Sequence, residues 1–140
     1  MFLGTYRPKF DDKGRFFLPP HFREELAGGL VIVKGQEHCL AIYTPAEFAK
    51  MIEKVTTAPT TVKQVRDYQR WLAAGACDSA PDKQGRVSVP ANLRLYAGLE
   101  RDLVVTGAID RVELWNPDRW QTYEEEQAPG FSELNQVIGA

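Results

Sequence analysis

Arginine is the side chain best fitted to grip a phosphate, or the edge of a guanine, through two parallel hydrogen bonds. This sequence sets one directly behind a glycine twice. The stretch Asp11-Asp12-Lys13-Gly14-Arg15-Phe16-Phe17-Leu18-Pro19 is echoed 71 positions later by Asp82-Lys83-Gln84-Gly85-Arg86-Val87-Ser88-Val89-Pro90. At that offset Asp11/Asp82, Gly14/Gly85, Arg15/Arg86, Pro19/Pro90 and Arg23/Arg94 all coincide. Turn chemistry accounts for the aspartate and the glycine, but an arginine held behind each glycine needs a further reason. Lys13 and Lys83 add a second positive charge to each tip, so each loop is a small basic prong. The plain structural alternative is an Asp11–Arg15 pair and an Asp82–Arg86 pair that merely close their turns. Both can hold, with Asp11 and Asp82 aiming the arginines and Gly14 and Gly85 shaping the loops.

Other chemistries find little support. His38 beside Cys39, with His21 elsewhere, matches no metal-ligand spacing, so no metal site is expected. A nucleophilic Cys39 or Cys77 would need a base, and His38, as a strand neighbour of Cys39, points to the opposite face. No phosphate-cradling glycine loop opens a helix, since Ala27-Gly28-Gly29 closes one instead. No catalytic residue, cofactor or small-molecule substrate is therefore expected. The acidic run Glu124-Glu125-Glu126 reads as a solvated helix face, and Trp71, Trp115 and Trp120 as core or subunit contacts.

The formal net charge of −2 argues at first against a polyanionic partner. Its distribution says otherwise. Residues 1–23 carry five basic side chains against two acidic, and residues 82–94 three against one. Residues 118–140 carry five acidic against one basic. The prongs are locally basic and the acid lies in the tail, and steering of a polyanion follows the local field. No apolar run approaches the ~18 residues of a membrane span. The N-terminal residues have no basic-then-apolar leader pattern, so neither a membrane nor a secretory signal is expected. Cys39 and Cys77 suit a reducing cytoplasm, with a disulfide between them as the alternative.

The elements that must carry the prongs repeat as well. Beyond the loops the offset becomes 72, where Val33/Val105, Gly35/Gly107, Tyr43/Trp115, Pro45/Pro117 and Phe48/Trp120 agree in kind. One supersecondary unit has been used twice. Each copy reads as an extended piece (Thr5–Phe10 in the first) returning after the turn as a hairpin strand, here Arg15–Leu18. A short helix follows, with Pro20 at its first position. A second hairpin comes next, Leu30–Lys34 with Cys39–Tyr43, matched by Leu103–Thr106 with Arg111–Trp115. Helices then open at Thr44-Pro45 and Asn116-Pro117, a capping side chain before a proline. In the spacer, Phe48, Met51, Ile52 and Val55 form one apolar helix face, and a second helix covers 62–74. After the second repeat, Phe131, Leu134, Val137 and Ile138 form a shorter echo. The chain of 140 residues suggests one body of class α+β, with a pseudo-twofold axis between two repeats too small to hold private cores.

The paired patterns Asp-x-Lys-Gly-Arg-x-x-x-Pro from Asp11 and Asp-x-Gln-Gly-Arg-x-x-x-Pro from Asp82 resemble the signature of the MraZ family. The opening Phe2-Leu3-Gly4, the Lys34-Gly35 turn and the helical spacer resemble it too, so the likeness spans nearly the whole chain. It implies two AbrB-like swapped-hairpin repeats forming a double-split β-barrel with helical hairpins outside. The expected units are repeat 1 at 5–48, a helical spacer at 49–75, repeat 2 at 76–120 and a helical tail at 121–140. The resemblance further implies a sequence-specific transcriptional regulator, with Arg15 and Arg86 contacting double-stranded DNA. It would assemble as a ring-like homo-oligomer on tandem promoter repeats, repressing its own division and cell-wall operon, cytoplasmic and nucleoid-associated. The alternative is a protein-interaction or antitoxin-like module on the same barrel. Its apolar faces at Phe48/Met51/Ile52/Val55 and Phe131/Leu134/Ile138 would then grip a partner.

Overall fold

The structure, a computed structural model, describes residues 1–139. Its strands are β1 (Thr5–Tyr6), β2 (Arg15–Phe17), β3 (Leu30–Lys34), β4 (Leu40–Tyr43), β5 (Cys77–Ser79), β6 (Arg86–Ser88), β7 (Val104–Gly107) and β8 (Val112–Trp115). Its helices are α1 (Pro20–Leu26), α2 (Pro45–Thr56), α3 (Lys63–Ala74), α4 (Ala91–Ala97), α5 (Pro117–Gln127) and α6 (Phe131–Ile138). Local chemistry sets the helix starts. Thr44 Oγ1 accepts the Glu47 N–H at 3.1 Å ahead of α2, and Asn116 Oδ1 accepts the N–H groups of Asp118 and Arg119 ahead of α5. In both helices proline takes the first turn, where its missing N–H is no loss.

The strands form a six-stranded sheet in the order β1-β7-β8-β4-β3-β5 and a separate two-stranded ribbon, β2-β6, all antiparallel. Among the described residues no ladder closes these sheets into a barrel. The order corrects one expectation. Thr5–Phe10 and Arg15–Leu18 do not pair as a local hairpin; only the turn between them forms. β1 instead joins β7 of the second repeat, and β5 joins β3 of the first, so the repeats trade their leading strands. The trade is extensive at the N-terminus. Phe2 and Ile109 exchange two backbone hydrogen bonds, Gly107 N–H donates to Gly4 O, and Phe10 N–H donates to Arg101 O.

Symmetry-equivalent residues meet one another in two places. Phe16 lies opposite Val87 in the ribbon, and Ala41 opposite Glu113 where β4 meets β8. A local twofold axis therefore passes through both pairings, which gives the expected pseudo-symmetry a location.

The main core lies between the ribbon with α1 and α4 on one side and the inner face of the large sheet on the other. Phe16, Leu18, Phe22, Val87, Val89 and Leu93 meet Leu30, Ile32, Leu40, Ile42, Val105 and Leu114 there. The outer face of the same sheet is covered too. Val31, Val33 and Ala41 pack under Leu72 of α3 and Phe48, Met51, Ile52 and Val55 of α2. That apolar stripe of α2 is thus filled from within the chain and does not stand free for a partner. Over the second half, Cys39, Val104 and Trp115 pack with Trp120 and Tyr123 of α5. Helix α6 differs, because none of its residues joins these clusters and its Phe131, Leu134, Val137 and Ile138 are exposed.

Candidate nucleic-acid interface

Each Asp-x-x-Gly-Arg loop is a closed hydrogen-bonded unit centred on its aspartate. Asp11 Oδ1 accepts the backbone N–H of Lys13 at 2.9 Å and of Arg15 at 3.0 Å, and Oδ2 accepts Arg15 Nε at 2.7 Å. Asp11 N–H donates to Arg15 O, and Gly14 N–H to Asp11 O, at 2.8 and 3.1 Å. The second loop repeats every bond. Asp82 accepts from Gln84 N–H and Arg86 N–H at 2.9 Å each and from Arg86 Nε at 2.8 Å, with backbone bonds of 2.9 and 3.0 Å. The Arg15 N–H first, then those of Lys13 and the guanidinium, hold the Asp11 carboxyl below its ordinary pKa against a smaller opposing desolvation. The Arg86 N–H does the same for Asp82, followed by the Arg86 guanidinium and the Gln84 N–H.

The structural alternative and the functional one therefore coexist. Each aspartate closes its turn and grips its arginine side-on through Nε. That leaves the two terminal nitrogens of Arg15 and Arg86 without a hydrogen-bond partner among the described residues. An arginine held this way is oriented in advance, so less conformational entropy is lost when it meets a ligand.

Gly14 and Gly85 adopt φ of +73° and +80°, which L side chains rarely take, and both are buried under an arginine from the other repeat. A Cβ on Gly14 would lie 2.9 Å from Arg94 Cζ, and one on Gly85 would lie 2.8 Å from Arg23 Nε. Arg23 Nε donates to Leu18 O and Arg94 Nε to Val89 O, each at 3.0 Å. Neither has an acidic partner among the described residues. Arg23 and Arg94 thus complete a four-arginine surface. Their coincidence in the repeat was visible in the sequence. Their crossing to the opposite loop was not, because it depends on the β2–β6 pairing.

That pairing, with Arg15 opposite Ser88 and Phe17 opposite Arg86, sets the face of the ribbon. Phe16 and Val87 point into the core, so Arg15, Phe17, Arg86 and Ser88 share the outward face. Leu18 N–H donates to Gly85 O and Val89 N–H to Gly14 O, which ties each loop to the other repeat's strand. Lys13 and Lys83 are exposed and unpaired among the described residues, but they are not equivalents. Gln84 takes the position of Lys13, and Lys83 that of Asp12. The two prongs therefore carry their lysines at different places.

The remaining candidates sit away from this surface. Cys39 is buried, and burial first, then Glu113 and Glu37, pushes its thiol up to about 12. His38 stacks on Tyr96 with ring centroids 4.9 Å apart, and Tyr96 donates its hydroxyl to Gly35 O at 2.8 Å. His21 is exposed on α1. Trp115 belongs to the core and Trp120 packs on it. Trp71 is 56% exposed, yet the Lys34 ammonium lies 3.7 Å from its ring centroid. Glu124, Glu125 and Glu126 are exposed on α5, as a solvated face requires.

Comparison with known proteins agrees with the internal repeat. The family described as "MraZ protein, putative antitoxin-like" matches residues 1–71 and, a second time, residues 72–136. Transcriptional regulator MraZ of Frankia alni is 54% identical over 138 residues, 99% of this chain and 96% of the relative. The protein of that name from Cutibacterium acnes is 54% identical over 140 residues, 100% of this chain and 99% of the relative. The one from Thermobifida fusca is 52% identical over 138 residues, 99% of this chain and 96% of the relative. All carry the name of a regulator and not of an enzyme, in agreement with the expectation of no catalysis. With one family matched in both halves and relatives aligned from end to end, this chain belongs to the MraZ family.

Proposed function

We propose that this chain is a sequence-specific DNA-binding transcriptional regulator acting as a homo-oligomer. The observation that carries the proposal is the duplicated, aspartate-held arginine, displayed twice on one outward ribbon face about a local twofold axis. Arg15 and Arg86 contact bases or phosphates, Lys13 and Lys83 neutralise phosphates, and Asp11, Gly14, Asp82 and Gly85 hold the loops in shape. No cofactor or metal is required. A two-stranded antiparallel ribbon is an element that enters a major groove.

One protomer brings few cations, and its net charge is −2. Useful affinity then comes from several protomers engaging linked sites at once, each neutralised phosphate releasing counterions. Helix α6 supplies a surface for such assembly, since Phe131, Leu134, Val137 and Ile138 remain open to solvent in the single chain. A ring on tandem promoter repeats, repression of the chain's own division and cell-wall operon, and a nucleoid-associated cytoplasmic location belong to the same proposal. So do the double-split barrel, as the relation between the facing sheets, and the division into 5–48, 49–75, 76–120 and 121–140. The open α6 face also favours a second reading, an antitoxin-like module gripping a protein partner, with DNA binding secondary.

The deciding experiment titrates pure wild-type protein and the Arg15→Ala/Arg86→Ala variant against a duplex from directly upstream of the gene, with a scrambled duplex as control, across a salt series. Loss of two guanidinium contacts per protomer should lower selective affinity by about a hundredfold or more while the variant stays folded. Unfolding of the variant would instead assign the arginines to structure. Wild-type protein without preference for the upstream duplex at any salt would remove the DNA reading.

A further inference from the structure

The two arginines of the ribbon are held alike, but their neighbours are not alike. The local twofold axis exchanges Arg15 with Arg86 and Phe17 with Ser88. Phe17 lies directly across from Arg86, while Ser88 lies directly across from Arg15. Cross-strand partners of this kind sit with Cβ atoms ~5 Å apart, close enough to touch the same base step. Phe17 is 52% exposed, although its neighbour Phe16 meets the core's need on the inner face. Phe17 joins none of the chain's core clusters, and a hydroxyl stands at the equivalent place on the other arm.

We propose that Phe17 is a specificity-determining contact that seats against the 5-methyl group of a thymine beside the base read by Arg86. Resting on the DNA-binding reading above, the proposal adds a polarity to it. Apolar side chains discriminate thymine through that methyl, which only the major groove presents. Ser88 offers a hydroxyl that hydrogen-bonds to several bases and selects no methyl. The Arg86–Phe17 arm therefore reads one more feature than the Arg15–Ser88 arm, and the pseudo-symmetric protein takes an asymmetric site.

The test replaces each thymine of the upstream duplex, one at a time, with deoxyuridine, which removes the methyl group and leaves base pairing intact. Wild type, Phe17→Ser and Ser88→Phe are titrated against every duplex, with melting and oligomer size measured for each. Wild type should lose about fourfold in affinity, the worth of one buried methyl group, at one thymine per recognition unit. Phe17→Ser should melt and assemble as wild type does, bind the thymine duplex about fourfold more weakly for each recognition unit engaged, and be indifferent to that uridine. Ser88→Phe should gain sensitivity at a second thymine, on the Arg15 side. Wild type that prefers the upstream duplex but ignores every uridine overturns the Phe17 assignment alone. So does Phe17→Ser that retains uridine sensitivity, weakens scrambled duplex equally, or changes oligomer size. Wild type with no preference between upstream and scrambled duplex overturns the DNA reading and this inference together.

Discussion

Replacing Gly85 with alanine tests whether the loops need glycine for two independent reasons. At φ +80° the residue sits in the left-handed region, where a Cβ crowds the following carbonyl at a cost of about 1–2 kcal/mol. The new Cβ would also stand 2.8 Å from Arg23 Nε, 3.0 Å from its Cζ and 3.1 Å from its Cδ. Arg23 must swing away, and its 3.0 Å bond to Leu18 O is lost. That loss adds about 1 kcal/mol. A total of about 2–3 kcal/mol should lower Tm by roughly 5–10 °C in a chain of this size. Gly28→Ala is the matched control, because a Cβ there meets nothing within 4 Å. It should stay within about 0.5 kcal/mol of wild type. Thermal unfolding by circular dichroism, run on all three proteins, reads the difference. If Gly85→Ala melts together with wild type and Gly28→Ala, the packing of Arg23 over the loop is not a constraint and the reciprocal arrangement of Arg23 and Arg94 loses its basis.

Three further outcomes follow from the same geometry. At pH 8 a thiol reagent should label Cys77, which is partly exposed, and leave Cys39, whose thiol is pushed up to about 12, until the chain is unfolded; counting labelled sites by mass spectrometry checks this. Asp11 and Asp82 have lowered folded-state pKa values, so the loop stability they contribute is complete above the unfolded carboxylate value of about 4 and is lost as pH falls through the lower folded values. Amide chemical shifts at Gly14 and Gly85 should accordingly stay flat from pH 8 to pH 5 and change only below about pH 4. Trp71→Ala removes the ring beneath the Lys34 ammonium, which should cost about 0.5–1 kcal/mol and a Tm fall of roughly 2–4 °C, with Trp71→Phe keeping part of the effect.

What was legible in the sequence was mostly local. The capped starts at Thr44-Pro45 and Asn116-Pro117, and the aspartate–glycine turns, rest on bonds that reach four residues or fewer, so residue order reveals them. The strand trade was not readable from the residues, because a turn brings two segments together without dictating which neighbour each will pair with. The periodicity of Phe48, Met51, Ile52 and Val55 marks an apolar helix face, but the covering surface comes from Val31, Val33 and Ala41 on distant strands. The same holds for the site. Arg15 and Arg86 stood out through their fixed place behind glycine. Arg23 and Arg94 act on the opposite repeat, and Phe17 gains meaning only from its register against Arg86.

The traded leading strands also bear on heredity. A chain ending after the first repeat would leave β3 without β5, and one beginning at the second would leave β7 without β1. A single copy of either half therefore lacks a strand that the other supplies. Two identical half-length chains could trade strands in the same way, but every substitution in them would then appear on both arms at once. Joining the halves in a single reading frame lifts that restriction. Phe17 and Ser88, or Lys13 and Gln84, could diverge one codon at a time while Phe16 and Val87 held the centre between them. The join, and not the fold itself, is what leaves the two arms free to evolve apart.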